Sequence, residues 1–574
     1  MAPFRIIPLV VLAVLTIVLR SLTTIIKEPT EAVWMSAAFG PMVCGLAILI
    51  WWFVASGANW REKWWGAGGF LLAAVITTFL LDSTMQGPGM IFLTIPMGIL
   101  GFAVGLTLVH RWLHPARMPA AIAICAIAFG FSILLRNEGM WGDGKQEFRW
   151  RWTPTAEEQM LAARVGPGED SPKTADVSAK SAWPGFRGPN RDGRQSGVQF
   201  SADWSDSAPE EIWRIPIGPG WSSFAVQGDF LFTQEQRGPD EFLTCYHADS
   251  GVEIWSSRIE GRFDDPMGGP GPRATPQLAD DRIFALSATG KLLCANPVDG
   301  NIIWVTDIGE AADRKPPMWG FSSSPLVTNG LVVVHAGGKE NLGTLGFDAV
   351  SGELSRSARD GDQSYSSPQS ARVAGEEVIL MATNEGLKVL DPETLEIRLD
   401  YQWPHSGYRA LQPQVIDGDS IVIATDTGTG SRRIRLSKTE SGLAAEEVWT
   451  NLKWKSDFND FVVHDGHAYG FAGSIFSSTN LETGELNWKG GRYGKGQVLL
   501  LADSGLLLVI GERGEGVLIK ATPNGHEELA TAQILNGKSW SHPVVVGDKL
   551  FVRNSQEAVC FRLPTHELAA SSSS

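Results

Sequence analysis

The chain has 574 residues, 44% hydrophobic and 19% charged, with a net charge of −15. Residues 1–136 hold eight Lys/Arg against four Asp/Glu, a net of +4, so against −15 overall residues 137–574 hold −19. An acidic outer part repels phosphate backbones and excludes nucleic acid as a general partner. Five scattered Cys without a CxxC exclude a zinc ribbon, a thioredoxin-type site and a disulfide scaffold, and the ten His carry no HExxH for zinc hydrolysis.

In chain order, residues 1–136 come first, as an α-helical membrane domain. Five apolar runs, near 4–26, 34–55, 64–81, 90–110 and 118–135, approach the length that crosses a bilayer, about 20 residues. The first contains Arg20 and lacks a small-x-small cleavage site, so it reads as an uncleaved helix rather than a signal peptide. With the N-terminus cytoplasmic, the inner segments hold Arg5, Arg61, Lys63, Arg111 and Arg117, and the outer ones only Arg20 and Lys27. Positive charge on the inside then favours this orientation, and five spans place everything after Arg136 outside the cytoplasm. Spans two to five carry no charge in mid-membrane, which favours anchoring in lipid over transport.

Residues 137–182 are polar and interrupted, a linker with one short helix. Thr155 and Glu158 form a capping box for a helix over about 156–163, and residues 164–182 have the composition of a flexible connection.

Residues 183–566 repeat. A Ser/Thr-Pro or its equivalent, a short apolar strand, a turn and three further strands recur, as in 274–309, 323–354 and 461–490. The first turn falls near Gly228, Asp280, Gly330, Gly375, Gly418, Gly466, Gly505 and Gly547. Seven steps from 228 to 547 average about 46 residues, the spacing of propeller blades. The eighth unit stops after three strands, and EEIWRIPIG (210–218) has the pattern of a fourth. The expected fold is therefore an all-β, eight-bladed propeller closed by an N-terminal strand, followed by a disordered tail at 567–574.

In DSGVEIW, VDGNIIW and ETGELNW a turn glycine (Gly251, Gly300, Gly484) stands four residues before a Trp (Trp255, Trp304, Trp488). This resembles the Trp-docking repeat of the quinoprotein-type, PQQ-like propeller family, over about 350 residues. That family contains PQQ-dependent dehydrogenases and cofactor-free relatives, and the apolar anchor resembles that of membrane-bound glucose dehydrogenases. The resemblance implies a propeller and leaves open whether a cofactor is used. The family's dehydrogenases have a vicinal Cys pair and calcium ligands on loops inserted between blades; this chain has no Cys-Cys and units that leave little room for insertions.

Just ahead of the closing strand, WPGFRGPNRDG (183–193) is too broken for helix or strand and too aromatic for an idle linker. It reads as a strap, with Trp183 and Phe186 packed on the propeller and Arg187 and Arg191 paired to acids at blade edges. Three residues before each Ser-Pro position stand Trp221, Arg273, Ser322, Tyr365, Ala410, Phe458, Lys495 and Trp540, with Trp319, Tyr408, Arg409 and Tyr493 nearby. Innermost strands line a propeller's axis, so Trp221, Arg273, Tyr365, Phe458, Lys495 and Trp540 are expected around one mouth. Three uses are open: a plug, a peptide or glycan site, or a seat for PQQ with calcium, a planar tricarboxylate that aromatic faces and cations suit. No catalytic residue or metal ligand is assigned by motif, and no cofactor is expected. The preferred reading is a non-catalytic module that binds protein, peptide or envelope polymer; the alternative is a PQQ-dependent dehydrogenase passing electrons to membrane quinone.

Overall fold

The computed structural model describes residues 4–26, 31–111, 116–163, 174–340, 342–361, 364–426, 428–440 and 442–566. The expected tail at 567–574 and residues 164–173 of the connection lie outside them. The chain divides into two units, Met1–Pro154 with Asp265–Gly269, and Thr155–Asp264 with Pro270–Ser574.

The first unit contains helices α1 (Ile7–Ile25), α2 (Glu31–Val54), α3 (Trp60–Leu80), α4 (Ile95–Val109) and α5 (Arg117–Ile133). Three helical stretches, Ala32–Val54, Trp60–Leu80 and Met90–Val109, are long and apolar enough to cross a membrane; α1 and α5 are shorter apolar helices. Of the five expected spans, three are thus long and apolar enough to cross, and the other two correspond to shorter apolar helices. At 1.5 Å per residue, the 17 residues of α5 rise about 25 Å, against about 30 Å of hydrocarbon. Val43, Leu46, Leu71, Phe79 and Leu108 face outward, as they do on helices solvated by lipid. Polar groups turn inward: Arg117 donates to Glu62 at 2.6 Å, both buried, with the Phe4 ring 4.2 Å from the guanidinium. Asn59 and Glu62 complete a capping box at the start of α3.

A hairpin not expected from the sequence follows, Leu135–Met140 paired with Gln146–Trp150. Its glycines and charges hide the alternation that marks a strand. Trp150 and Trp152 stack at 5.1 Å.

The second unit opens with α6 (Ala156–Ala163), where the Thr155 and Glu158 side chains cap each other's backbone N–H. Glu157 ties it to blade 1 through Arg262 at 2.9 Å and the N–H of Gly238 at 2.7 Å. Residues 174–182 are held on the propeller too, with Ala175 bonded to Val298 and Gln227 to the carbonyls of Val177 and Ala179.

Eight antiparallel sheets follow, each of four blade strands. Their innermost strands are Ala225–Gln227, Gln277–Ala279, Leu326–Thr328, Gln369–Val373, Gln414–Val415, Val462–His464, Gln497–Leu501 and Val544–Val546, numbered here as blades 1 to 8. Glu210–Pro216 supplies the fourth strand of blade 8, pairing with Glu557–Arg562 so that Trp213 faces Cys560. The eight-bladed propeller closed by an early strand is therefore the fold. Asn329–Gly330, Ala374–Gly375 and Asp465–Gly466 take left-handed φ at both positions, as hairpin turns of the primed type require.

The docking repeat has a physical reason. The indole N–H of Trp255 donates to Pro297, of Trp304 to Ala349, of Trp449 to Leu481 and of Trp213 to Ala248, each a carbonyl of the next blade. The ring lies over that blade's turn glycine: Gly300 under Trp255, Gly352 under Trp304, Gly484 under Trp449, Gly251 under Trp213. A Cβ on Gly300 would enter the Trp255 ring, and its φ of +72° disfavours any side chain. Gly300→Ala is expected to cost about 2–4 kcal/mol, from overpacking and backbone strain together. Gly418 has open space around its Cβ direction and no left-handed φ, so Gly418→Ala should fall within about 0.5 kcal/mol of the parent. Urea titration of the two variants checks the contrast.

Candidate functional site: an aromatic mouth opposite a buried strap

Chain enters each blade through a short extended segment ahead of its innermost strand, and these segments are tied around the axis. The Ser223 N–H donates to Thr275 Oγ1 (3.1 Å), the Thr275 N–H to Ser324 Oγ (2.9 Å) and the Ser324 N–H to Ser367 Oγ (2.9 Å). Gln412 reaches back to the Ser367 carbonyl (3.3 Å), and its N–H donates to Asp460 (3.3 Å). Asn459 donates to the Gly496 carbonyl, Gln497 to that of Trp540 (3.1 Å), and Ser223 Oγ to that of His542 (2.6 Å). The circuit visits all eight blades. It explains the recurrent Ser/Thr before Pro: the hydroxyl accepts the neighbouring blade's N–H, and Pro needs no partner of its own.

From the Ser-Pro positions onward, against the innermost strands, lies the strap. Trp183 pairs opposite Val226, the Pro184 carbonyl accepts from Leu278 (2.7 Å), and Phe186 meets His542 edge-on at 4.9 Å. Gln369 donates to the Asn190 carbonyl (3.2 Å), and Leu500 to that of Gly193 (2.9 Å). Arg187, 2% exposed, binds Asp460 at 3.3 Å and the Phe461 carbonyl. Arg191, 5% exposed, donates to the carbonyls of Pro325 (2.8 Å) and Ser324 (3.0 Å), so it meets backbone rather than the expected acid. Burial, then repulsion from Arg187, brings Arg191 down to about 9. Burial opposes ionisation of Asp460, but Arg187 and His542 outweigh it and hold that carboxyl below the ordinary range. The His542 imidazole is pushed down by burial. Beside the strap, a shallow cleft of about 370 Å³ is lined by Pro189, Asn190, Arg194 and Gly547.

At the other mouth stand the residues read from the sequence, in two aromatic arcs. Trp221 and Trp540 lie 4.7 Å apart, and Phe458 meets Trp540 edge-on at 5.2 Å. Tyr365 lies 5.3 Å from Trp319, which lies 4.4 Å from Tyr408. Asp457 joins the arcs, accepting from the Tyr408 hydroxyl and from Lys495 Nζ (2.7 Å). Burial and the Asp457 charge push the Tyr408 phenol up. Glu512, buried, accepts from Trp540 Nε1 at 2.9 Å. Arg273 lies 4.8 Å over Phe263 and donates to the Gly271 carbonyl. So Trp221, Phe458 and Trp540 come together, Tyr365 and Lys495 are linked through Trp319, Tyr408 and Asp457, and Arg273 packs on Phe263. Arg409 and Tyr493 turn away: Arg409 is buried against the Thr383 and Trp403 carbonyls, and Tyr493 bonds Glu528 at 2.7 Å.

Sequence reading missed Lys538, whose ammonium lies 4.5 Å from Trp540 and 5.5 Å from Trp221. Its spacing of two from Trp540, along extended chain, was the available signal. It also missed Glu241, buried with both carboxyl oxygens on the Ala288 N–H. Burial pushes Glu241 up to about 8, against the opposing pulls of that N–H and of Arg273. Cys245, Cys294 and Cys560 sit singly and buried in third strands; burial raises Cys294 to about 11 and Cys560 to about 12, which makes them packing groups rather than nucleophiles.

Eight radial sheets with docked Trp residues around one axis define an eight-bladed β-propeller, here in one chain with an apolar helical unit. The model of the family described as outer membrane protein assembly factor BamB matches residues 239–490. Among solved structures, BamB from Moraxella catarrhalis is 13% identical, covering 62% of this chain and 100% of its own, with a TM-score of 0.43. Quinohemoprotein alcohol dehydrogenase ADHIIG from Pseudomonas putida HK5 is 11% identical, covering 69% and 83%, with a TM-score of 0.45. The computationally designed protein Ika8 is 10% identical, covering 62% and 100%, with a TM-score of 0.43. No curated protein matches the sequence.

Glu241 yields a pH prediction. Its folded value, about 8, is raised above the unfolded one, so its contribution to stability is complete below about 4.5 and is lost as pH rises through about 8. Glu241→Gln keeps the acceptor and removes the titration. Its melting temperature relative to the parent should therefore rise between pH 5 and about pH 8.5. Parallel melting curves across that range would contradict the assignment.

Proposed function

We propose that the protein is a binding or scaffold module, anchored in the bacterial inner membrane with its propeller in the periplasm, and that it engages a protein, peptide or envelope polymer through the aromatic mouth. The observation that carries this reading is the half-exposed pair of aromatic arcs, fixed in place by Asp457 and Glu512, opposite a mouth occupied by the strap. Rigid aromatic faces give contact area at small entropic cost. Anchoring is supported by the apolar spans and by Trp60, Trp64 and Trp65, exposed at one end of α3 as interface residues are. The matching family's description as an assembly factor accords with a scaffold that handles other polypeptides.

A quinone cofactor fits these residues poorly. Lys495 is engaged by Asp457, and Arg273 by Phe263 and the Gly271 carbonyl, so cations for three carboxylates are already committed. The Trp221 and Trp540 rings, 4.7 Å apart, leave no slot for a third ring, which would set them about 7 Å apart. Among the described residues no three His, Cys, Asp or Glu converge as a metal site.

Two experiments test the reading. A partner crosslinked to the wild-type protein in membranes should be lost from the Trp221→Ala/Trp540→Ala variant while its melting temperature stays within about 3 °C of the parent. Retention of that partner by the folded variant overturns the role of the mouth. Adding PQQ and calcium to the detergent-solubilised full chain should move its melting temperature by less than about 1 °C and give no dye reduction with alcohols or sugars; a shift of several degrees with turnover overturns the non-catalytic reading.

A further inference from the structure

We propose that Trp221 and Trp540 form a cation-recognising cage for a lysine or arginine side chain of a partner polypeptide, and that Lys538 occupies it as an internal stand-in. This deepens the reading of the mouth and rests on it. The Lys538 ammonium lies within cation–π range of both indoles, 5.5 Å from the Trp221 centroid and 4.5 Å from that of Trp540. The rings are tilted 42° to one another rather than stacked flat, and Phe458 packs on Trp540 in a T-shaped contact at 5.2 Å. Trp540 is held by its N–H bond to the buried Glu512 carboxylate, which places negative charge behind the cage. Lys538 is buried, while Trp221 and Trp540 are only half-buried. The pair therefore already holds an ammonium of the kind that a partner lysine would bring.

Charge selects the same class of partner. Lys495 is neutralised by Asp457 at 2.7 Å, so it does not turn the mouth into an anion site. Residues 137–574 carry −19, since residues 1–136 hold +4 of a total of −15, and a body of that sign draws in basic segments. An incoming ammonium must compete with Lys538 or tolerate its charge, so the intrinsic affinity is reduced by the fraction of time the cage is taken.

The test is a tryptophan-fluorescence titration of the full chain in detergent with a tetralysine peptide, at constant ionic strength. Tetraglutamate is the comparison arm. The parent should bind tetralysine saturably. Lys538→Gln should tighten it about five- to thirty-fold, and Trp540→Ala should abolish it. A second variant, Lys538→Met, guards against a local effect of Gln and should act the same way. Unchanged or weaker binding in both Lys538 variants overturns the cage, as does binding of tetraglutamate as tight as that of tetralysine. If the Trp221→Ala/Trp540→Ala variant loses its crosslinked partner but the Lys538 variants leave tetralysine binding unchanged, the mouth remains a binding surface and only the cation assignment fails.

Discussion

A wheel of eight sheets has a single seam, and the pairing of Glu210–Pro216 with Glu557–Arg562 closes it. Blade 8 supplies only three strands of its own. Without the early strand, the edge carrying Val559 and Cys560, both fully buried, would open to water. The two partners are more than 340 residues apart in sequence, so closure bears a large loop entropy, which grows only slowly with length. Local bonds reinforce it. Trp213 docks on blade 1, and the buried Arg553 of blade 8 donates to the carbonyls of Gln234 (2.7 Å) and Gly218 (2.7 Å). Burial brings Arg553 down to about 10, with the Glu235 charge opposing. A cation tolerates such burial only because its donors are satisfied.

The strap is the second consequence of an early strand that must reach the last blade. Chain approaching Glu210 crosses the axis, and the crossing is fixed by two arginines in left-handed backbone, Arg187 at φ +59° and Arg191 at +54°. Each such residue costs about 1–3 kcal/mol. The compensation is charge-assisted hydrogen bonding to Asp460 and to carbonyls of blades 3 and 6. With the innermost strands covered from the Ser-Pro positions onward, the aromatic arcs three residues earlier are the axial surface offered to a partner.

The wheel was legible because its determinants are periodic: turn residues every 46 or so positions, a Trp four after a glycine, a Ser/Thr before a Pro. Each follows from a contact every blade repeats, so each recurs in sequence. The ring of residues three before the Ser-Pro position was legible for the same reason, as a list of positions. Their contacts were not. Asp457 joins Tyr408 and Lys495 across three blades, and no local pattern records a bridge of that kind. Arg191 escaped because its partners are backbone carbonyls, which a sequence does not distinguish from one another. Among the helices, composition marked all five apolar runs correctly, but spanning is a matter of length. α5 begins at Arg117, whose pairing with Glu62 fixes where that apolar run starts.

The mouth inherits its chemistry from this placement. Entry segments of a propeller are short and extended, so their side chains cannot retreat far from the axis, and large ones must pack on each other. Aromatic rings do so while leaving one face outward, which is why Trp221, Trp540, Trp319 and Tyr408 are half-buried rather than hidden. Charges in the same ring must be paired, because the packed rings exclude water from them; Lys495 with Asp457 and Lys538 with the two indoles meet that demand. The ring thereby presents π faces on an acidic body, with its own cations spent internally. Such a surface attracts positive charge from a distance and holds it by polarisable contact nearby, and it has little to offer an anion that arrives needing counter-charges of its own.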